Sequence, residues 1–77
     1  MNHREAKAKG KYEAEGWRVL RNGAPDFILL KVSESGEILE IEAREVKNPR
    51  GRLTYEQAVY QKVFEKAGVP YKVDVVE

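Results

Sequence analysis

Along the 77-residue chain, the spacing of apolar residues alternates between the period of a helix and the period of a strand. These periods predict six elements in the order α-β-β-β-α-β, over residues 4–15, 17–21, 27–32, 38–47, 55–67 and 71–76. Asn2 is a suitable N-cap for the first helix, and Gly16 ends it. Thr54 and Gln57 have the spacing of a capping box at the start of the second helix, which Gly68 closes.

Three elements carry apolar faces that are expected to form core or dimer contacts. The segment 27–32 is apolar enough to be buried on both faces. In 38–47 the period-two alternation places Leu39, Ile41 and Ala43 on one face, and we interpret them as core residues. The second helix has an apolar stripe formed by Tyr55, Val59, Val63 and Ala67, widened by Tyr60 and Phe64.

The order of the elements predicts an α/β fold with one mixed sheet flanked by helices. The helix between the third and fourth strands is a crossover connection, which favours a parallel pair with a right-handed crossover. A chain of this length allows one small domain, and we assign residues 1–77 to it.

Composition excludes several kinds of site. The net charge is +1, so binding by bulk charge alone is excluded. The chain has no cysteine and a single histidine, His3, which excludes disulfides and thiolate zinc sites and argues against histidine acid–base chemistry. No segment has the pattern of a signal peptide or a membrane span, and this predicts a cytoplasmic protein.

Charge is placed unevenly around the third strand. That strand is acidic, and the loop that follows it carries Lys47, Arg50 and Arg52 without an acid. This layout is typical of a metal site beside a phosphate path. It is also typical of two solvated faces of opposite charge, and the charges alone do not separate these interpretations.

Asp26, Glu45 and Lys47 form the candidate chemical site. Glu45 and Lys47 leave the same face of the third strand, and a hairpin around residues 33–37 would pair Phe27 near Arg44 and Asp26 near Glu45. Two adjacent carboxylates repel unless a cation lies between them, and Mg²⁺ binds through one or two carboxylates plus phosphate. The alternative is that the strand end frays into solvent and Asp26 only finishes a turn.

Several short motifs carry a resemblance to a known family. They are Gly23-Ala24-Pro25-Asp26-Phe27, Glu45-Val46-Lys47-Asn48-Pro49, Arg52-Leu53-Thr54, Gln57 and Ala67-Gly68-Val69-Pro70. With the α-β-β-β-α-β order, the chain resembles the PD-(D/E)XK nuclease superfamily, and within it the virus-type replication-repair nuclease (VRR-NUC) module. The resemblance implies a restriction-endonuclease-like core and an endonuclease that uses Mg²⁺ or Mn²⁺ to hydrolyse DNA.

The resemblance also implies roles for individual residues. Asp26 and Glu45 would ligate the metal together with the backbone carbonyl of Val46, and Lys47 would be the catalytic lysine. Gln57 matches a glutamine of the family's site, although the capping box also explains it. A further acid on the first helix would be Glu5, with Glu13 as its competitor.

The implied substrate is branched DNA, such as a flap or a four-way (Holliday) junction, in DNA repair, and the implied assembly is a homodimer. A prokaryotic or phage-encoded protein fits this context. Arg50, Arg52 and Lys47 are the expected DNA contacts. The alternative is a non-catalytic nucleic-acid-binding module, since double-stranded-RNA-binding domains share an α-β-β-β-α order. That module would carry lysines where the second helix begins with Thr54-Tyr55-Glu56-Gln57, and it leaves the last strand unexplained.

Overall fold

The structure is a computed structural model that describes residues 2–77. Its elements are α1 (His3–Ala14), β1 (Arg18–Arg21), β2 (Phe27–Val32), β3 (Ile38–Lys47), α2 (Tyr55–Lys66) and β4 (Tyr71–Val75). The predicted order is confirmed, and each boundary lies within about one residue of its predicted place. Within residues 2–77, neither helix is long and apolar enough to cross a membrane.

The four strands form one sheet in the order β1-β2-β3-β4. The first two pairs are antiparallel, and β3 and β4 are parallel, so the predicted mixed sheet is confirmed. Phe27 pairs with Arg44, as the hairpin count predicted. This register sets the start of β2 beside the end of β3, and β4 also ends at that edge.

Both helices begin and end where their local sequence predicts. Asn2 and Glu5 form a capping box on α1, and Thr54 and Gln57 form another on α2. Gly16 follows α1 with a φ of 91°. This is the left-handed conformation that glycine adopts without steric cost.

The core lies between α1 and the sheet. It consists of Ala8, Tyr12, Trp17, Phe27 and Leu29. The edge of the Tyr12 ring packs on Phe27, with ring centroids 6.0 Å apart. Phe27 and Leu29 are fully buried, whereas Ile28 and Leu30 on the opposite face are only half-buried. The expectation that β2 is buried on both faces is therefore wrong, because α1 covers its face more completely than α2 covers the other.

The second face of the sheet is only partly covered, which corrects the expectation that Leu39 and Ile41 are core residues. Leu39 is 60% exposed and Ile41 is also exposed, because β4 pairs only with the second half of β3. None of the residues of α2 is fully buried. Its predicted apolar stripe faces outward, with Tyr55 84% exposed, and Phe64 is the side chain that packs against Tyr71.

Charged side chains link α1, β3 and β4 on the α1 side of the sheet. Arg44 donates to Asp74 at 2.8 Å and to Glu42 at 2.9 Å, and Tyr12 donates its hydroxyl to Asp74. Burial alone would raise the pKa of Asp74, but the hydrogen bonds from Tyr12 and Arg44 outweigh it and hold the pKa below its ordinary value. This network fixes β3 and β4 against α1 behind the predicted site.

Candidate active site

Four of the residues predicted for the site converge at one edge of the sheet. Asp26 lies directly before β2, Glu45 and Lys47 lie at the end of β3, and Gln57 lies in the first turn of α2. Strand alternation points Glu45 and Lys47 to the face that α2 covers. The antiparallel register of β2 and β3 brings Asp26 to the same place.

Glu45 is the centre of this cluster and is only 1% exposed. Its Oε2 accepts from the backbone N–H of Asp26 at 3.1 Å and lies 3.5 Å from the hydroxyl of Tyr71. Its Oε1 accepts from the side-chain amide of Gln57 and lies 3.5 Å from Lys47 Nζ. Buried charges persist only when they are paired and hydrogen-bonded, and Glu45 meets both conditions.

The electrostatics of Glu45 favour a cation. Burial raises the pKa of Glu45, and the neighbouring charge of Asp26 raises it further, while the backbone N–H of Asp26 and the ammonium of Lys47 act in the opposite direction. A nearby positive charge would stabilise the ionised form of Glu45. One lysine supplies part of that charge, and a divalent ion would supply the rest.

Gln57 makes the capping-box contact and also a contact with Glu45. Its Oε1 accepts from the backbone N–H of Thr54 at 2.9 Å, which completes the capping box. Its Nε2 donates to Glu45. The capping geometry therefore aims the amide nitrogen at the buried carboxylate.

Comparison with known protein families identifies the family of this chain. Residues 2–77 match the VRR-NUC domain. The chain belongs to the VRR-NUC family. Comparisons with curated proteins and with solved structures gave no match. The family identifies a nuclease-type domain whose substrate is DNA.

Asp26 is held in place by the backbone of β3 in this VRR-NUC domain. Its Oδ2 accepts from the N–H of Val46 at 2.8 Å. This bond sets the carboxylate beside Val46, the residue whose carbonyl was predicted as a metal ligand. Two carboxylates and a carbonyl are hard oxygen donors of the kind that Mg²⁺ and Mn²⁺ bind, with water and phosphate completing the shell.

A third acidic ligand is not brought to this VRR-NUC site. In the part of the chain from Asn2 onward, no three His, Asp or Glu side chains lie close enough together to hold a metal ion. Glu5 accepts from the backbone N–H of Asn2, and the Asn2 side chain caps Glu5 in return. Glu13 lies on the exposed side of α1, away from the buried Tyr12.

Lys47 is positioned by the loop that follows β3. The Asn48 side chain accepts from the N–H of Arg50 at 2.8 Å, and the Asn48 carbonyl accepts from Gly51 at 2.9 Å. This turn folds Gly51 onto the stem of Lys47: a Cβ at Gly51 would lie 3.3 Å from both Cβ and Cδ of the lysine. Arg50 and Arg52, the other predicted DNA contacts, are exposed on the same loop.

Tyr71 is a site residue that the sequence analysis missed. It is 5% exposed at the start of β4, and burial and the nearby Glu45 charge raise its pKa to about 12. Tyr71 therefore stays protonated and donates toward Glu45 at neutral pH. The signal that could have identified it is the parallel crossover, because the first residue of β4 pairs with Ala43, two residues before Glu45.

Proposed function

We propose that this VRR-NUC chain is a divalent-metal-dependent endonuclease that hydrolyses phosphodiester bonds in branched DNA. The single observation that carries the proposal is the convergence of Asp26 and buried Glu45 beside Lys47. The family gives the nuclease class and the DNA substrate. The metal dependence and the preference for branched DNA are our inference.

Each residue has a chemical role in this proposal. Asp26, Glu45 and the Val46 carbonyl hold Mg²⁺ or Mn²⁺, which would neutralise charge on the phosphate and lower the pKa of a bound water. Lys47 holds the attacking water in line with the scissile bond and stabilises negative charge as it develops on the phosphate. Gln57 and Tyr71 donate to Glu45 and fix the orientation of its carboxylate. Arg50 and Arg52 contact neighbouring phosphates.

We further propose a homodimer. Support comes from large apolar side chains that are exposed on α2 and on β3, namely Leu39, Ile41, Tyr55, Val59, Tyr60 and Val63. We call these six residues the outer apolar face. A second copy would cover it, and two sites related by a two-fold axis suit a four-way junction, whose arms are also paired by symmetry.

The test of the nuclease proposal is a cleavage assay on duplex, flap and four-way junction DNA with Mg²⁺, Mn²⁺ or EDTA. We expect cleavage of the branched substrates that needs a divalent ion. We expect Lys47→Ala to lower the cleavage rate by on the order of 100-fold or more while DNA binding survives. Lys62→Ala, which removes an exposed lysine of α2, is the matched control and should cleave as the wild type does.

Three outcomes would contradict parts of this proposal. Cleavage in EDTA would contradict the proposed dependence on a divalent metal ion. Equal cleavage by wild type and Lys47→Ala would remove the role of the lysine. DNA binding without cleavage under any metal would favour a non-catalytic binding module.

A further inference from the structure

A stripe of basic side chains runs along α1, outside the site described above. Arg4, Lys7 and Lys11 fall within about 60° of arc at 100° per residue, and all three are exposed. The two acidic residues of the helix, Glu5 and Glu13, lie outside this arc. We call the three residues the α1 basic stripe. It flanks the buried Ala8 and Tyr12, so packing of the helix fixes its direction.

The stripe begins next to the catalytic edge of the sheet. Arg4 Nε donates to the carbonyl of Val76 at 3.1 Å. The N–H of Val76 donates to the carbonyl of Lys47 at 2.8 Å. Two hydrogen bonds therefore connect the first residue of the stripe to the strand that carries Lys47. Among residues 2–77, Arg4 donates only through Nε, so its terminal nitrogens are available to a ligand.

The charges around the stripe leave it cationic. Lys7 and Lys11 line a groove whose other walls are Ala8, Val75, Val76 and Glu77. Asp74 lies close to Lys11, but it already accepts from Arg44 and Tyr12. Among the described residues that line the groove, Glu77 has the one acidic side chain, and it is set against two lysines and the neighbouring Arg4. A surface of this kind fits a polyanion.

We propose that the α1 basic stripe binds the phosphate backbone of DNA that leaves the active site, and this rests on the proposed nuclease function. Arg4 and Lys11 are seven residues apart, or about 10 Å along the helix axis. One DNA strand advances about 3.4 Å per phosphate along its axis, so the stripe spans roughly three phosphates. The stripe thereby extends the path of Lys47, Arg50 and Arg52 to the opposite face of the sheet.

The test measures binding of a fluorescent four-way junction in EDTA across a range of NaCl concentrations. The slope of log K against log[salt] is negative, and each lost phosphate contact reduces its magnitude by about 0.9. The slope changes given below are changes in this magnitude. We expect Arg4→Gln/Lys7→Gln/Lys11→Gln to lower the slope by about 2 to 3 and to weaken binding on the order of 10-fold at moderate salt. The matched control, Arg18→Gln/Lys62→Gln/Lys66→Gln, removes the same charge elsewhere on the surface and should keep the wild-type slope.

The triple variant also loses the hydrogen bond between Arg4 and Val76, which could disturb folding. A second variant therefore keeps Arg4. Lys7→Gln/Lys11→Gln removes two exposed charges and should lower the slope by about 2. An unchanged slope in both stripe variants, or an equal loss in the control, overturns the proposal even if the wild type cleaves DNA. The stripe variants could show the reduced salt dependence while the wild type cleaves no DNA with any metal. In that case the nuclease proposal fails, and the stripe remains a DNA contact.

Discussion

Glu45 shows how a fold makes a buried carboxylate tolerable. Its two oxygens face a backbone N–H, an amide, a phenol and an ammonium, contributed by Asp26, Gln57, Tyr71 and Lys47. Each donor comes from a different part of the chain, so the arrangement exists only in the folded state. The same donors leave the carboxylate in one orientation, which is what a metal ligand requires.

The two roles of Gln57 can be separated by one substitution. Gln57→Glu keeps a side-chain oxygen that can cap α2, because Glu is also a capping-box residue. It replaces the donor to Glu45 with a carboxylate, so we expect about 1–3 kcal/mol of destabilisation in EDTA. We expect Mn²⁺ to raise the melting temperature of this variant more than that of the wild type, as measured by thermal unfolding.

Thr54→Ala is the control for the capping role alone. It removes the Thr54 acceptor of the capping box and should cost about 1 kcal/mol with or without Mn²⁺. If Gln57→Glu loses no stability in EDTA, the contact of Gln57 with Glu45 contributes nothing and Gln57 serves only the cap.

Residues of the site were predictable where a local pattern and a strand register determined them. Asp26 and Glu45 follow from the hairpin count, which the pairing of Phe27 with Arg44 confirms. Tyr71 was not predictable in this way. Its approach to Glu45 depends on a parallel register across a crossover helix, and no turn in the sequence fixes that register.

The loop between β3 and α2 acts as a single element that sets the position of Lys47. A Cβ at Gly51 would fit tightly, since it would lie 3.2 Å from the Asn48 carbonyl and 3.3 Å from the lysine stem. Contacts this close force a neighbour to move by a few tenths of an ångström. The lysine stem is the part that can move, because the carbonyl accepts the N–H of Gly51 within the turn.

We therefore expect Gly51→Ala to lower the cleavage rate by roughly 5- to 10-fold while DNA affinity stays near the wild-type value. Small misplacements of catalytic groups have large kinetic effects. The control is Gly10→Ala in α1, where a Cβ meets nothing within 4 Å. That variant should be more stable by up to about 1 kcal/mol and should cleave normally. If Gly51→Ala cleaves DNA at the wild-type single-turnover rate, the loop does not set the catalytic position of Lys47.

The orientation of α2 shows why an apolar stripe does not always face the core of its own chain. Its hydrophobic period identifies an apolar stripe that includes Tyr55, Val59 and Val63, and all three are exposed. The contacts of Gln57 with Glu45 and of Phe64 with Tyr71 turn the opposite side of the helix toward the sheet. A sequence period identifies an apolar face, but it does not identify what that face packs against.

At the scale of the whole molecule, the chain has one packed face and one that is largely open. The core of five buried side chains under α1 lies on the first, and the outer apolar face lies on the second. Large exposed apolar patches on small proteins mark interaction surfaces. The proposed second copy would cover the exposed apolar residues of both the helix and the strand.

The proposed dimer predicts the mass of the protein in solution. We expect light scattering at micromolar concentration to give twice the 8.8 kDa of one chain. Val63 is 56% exposed on α2, and Val63→Glu should give the monomer mass, because a charge buried in an apolar interface is unpaired. The neighbouring change Lys62→Glu alters charge more strongly but lies at an exposed polar position, so it should remain dimeric. A wild-type monomer at micromolar concentration, or a dimer that survives Val63→Glu as well as Leu39→Glu, would show that the outer apolar face does not pair two copies.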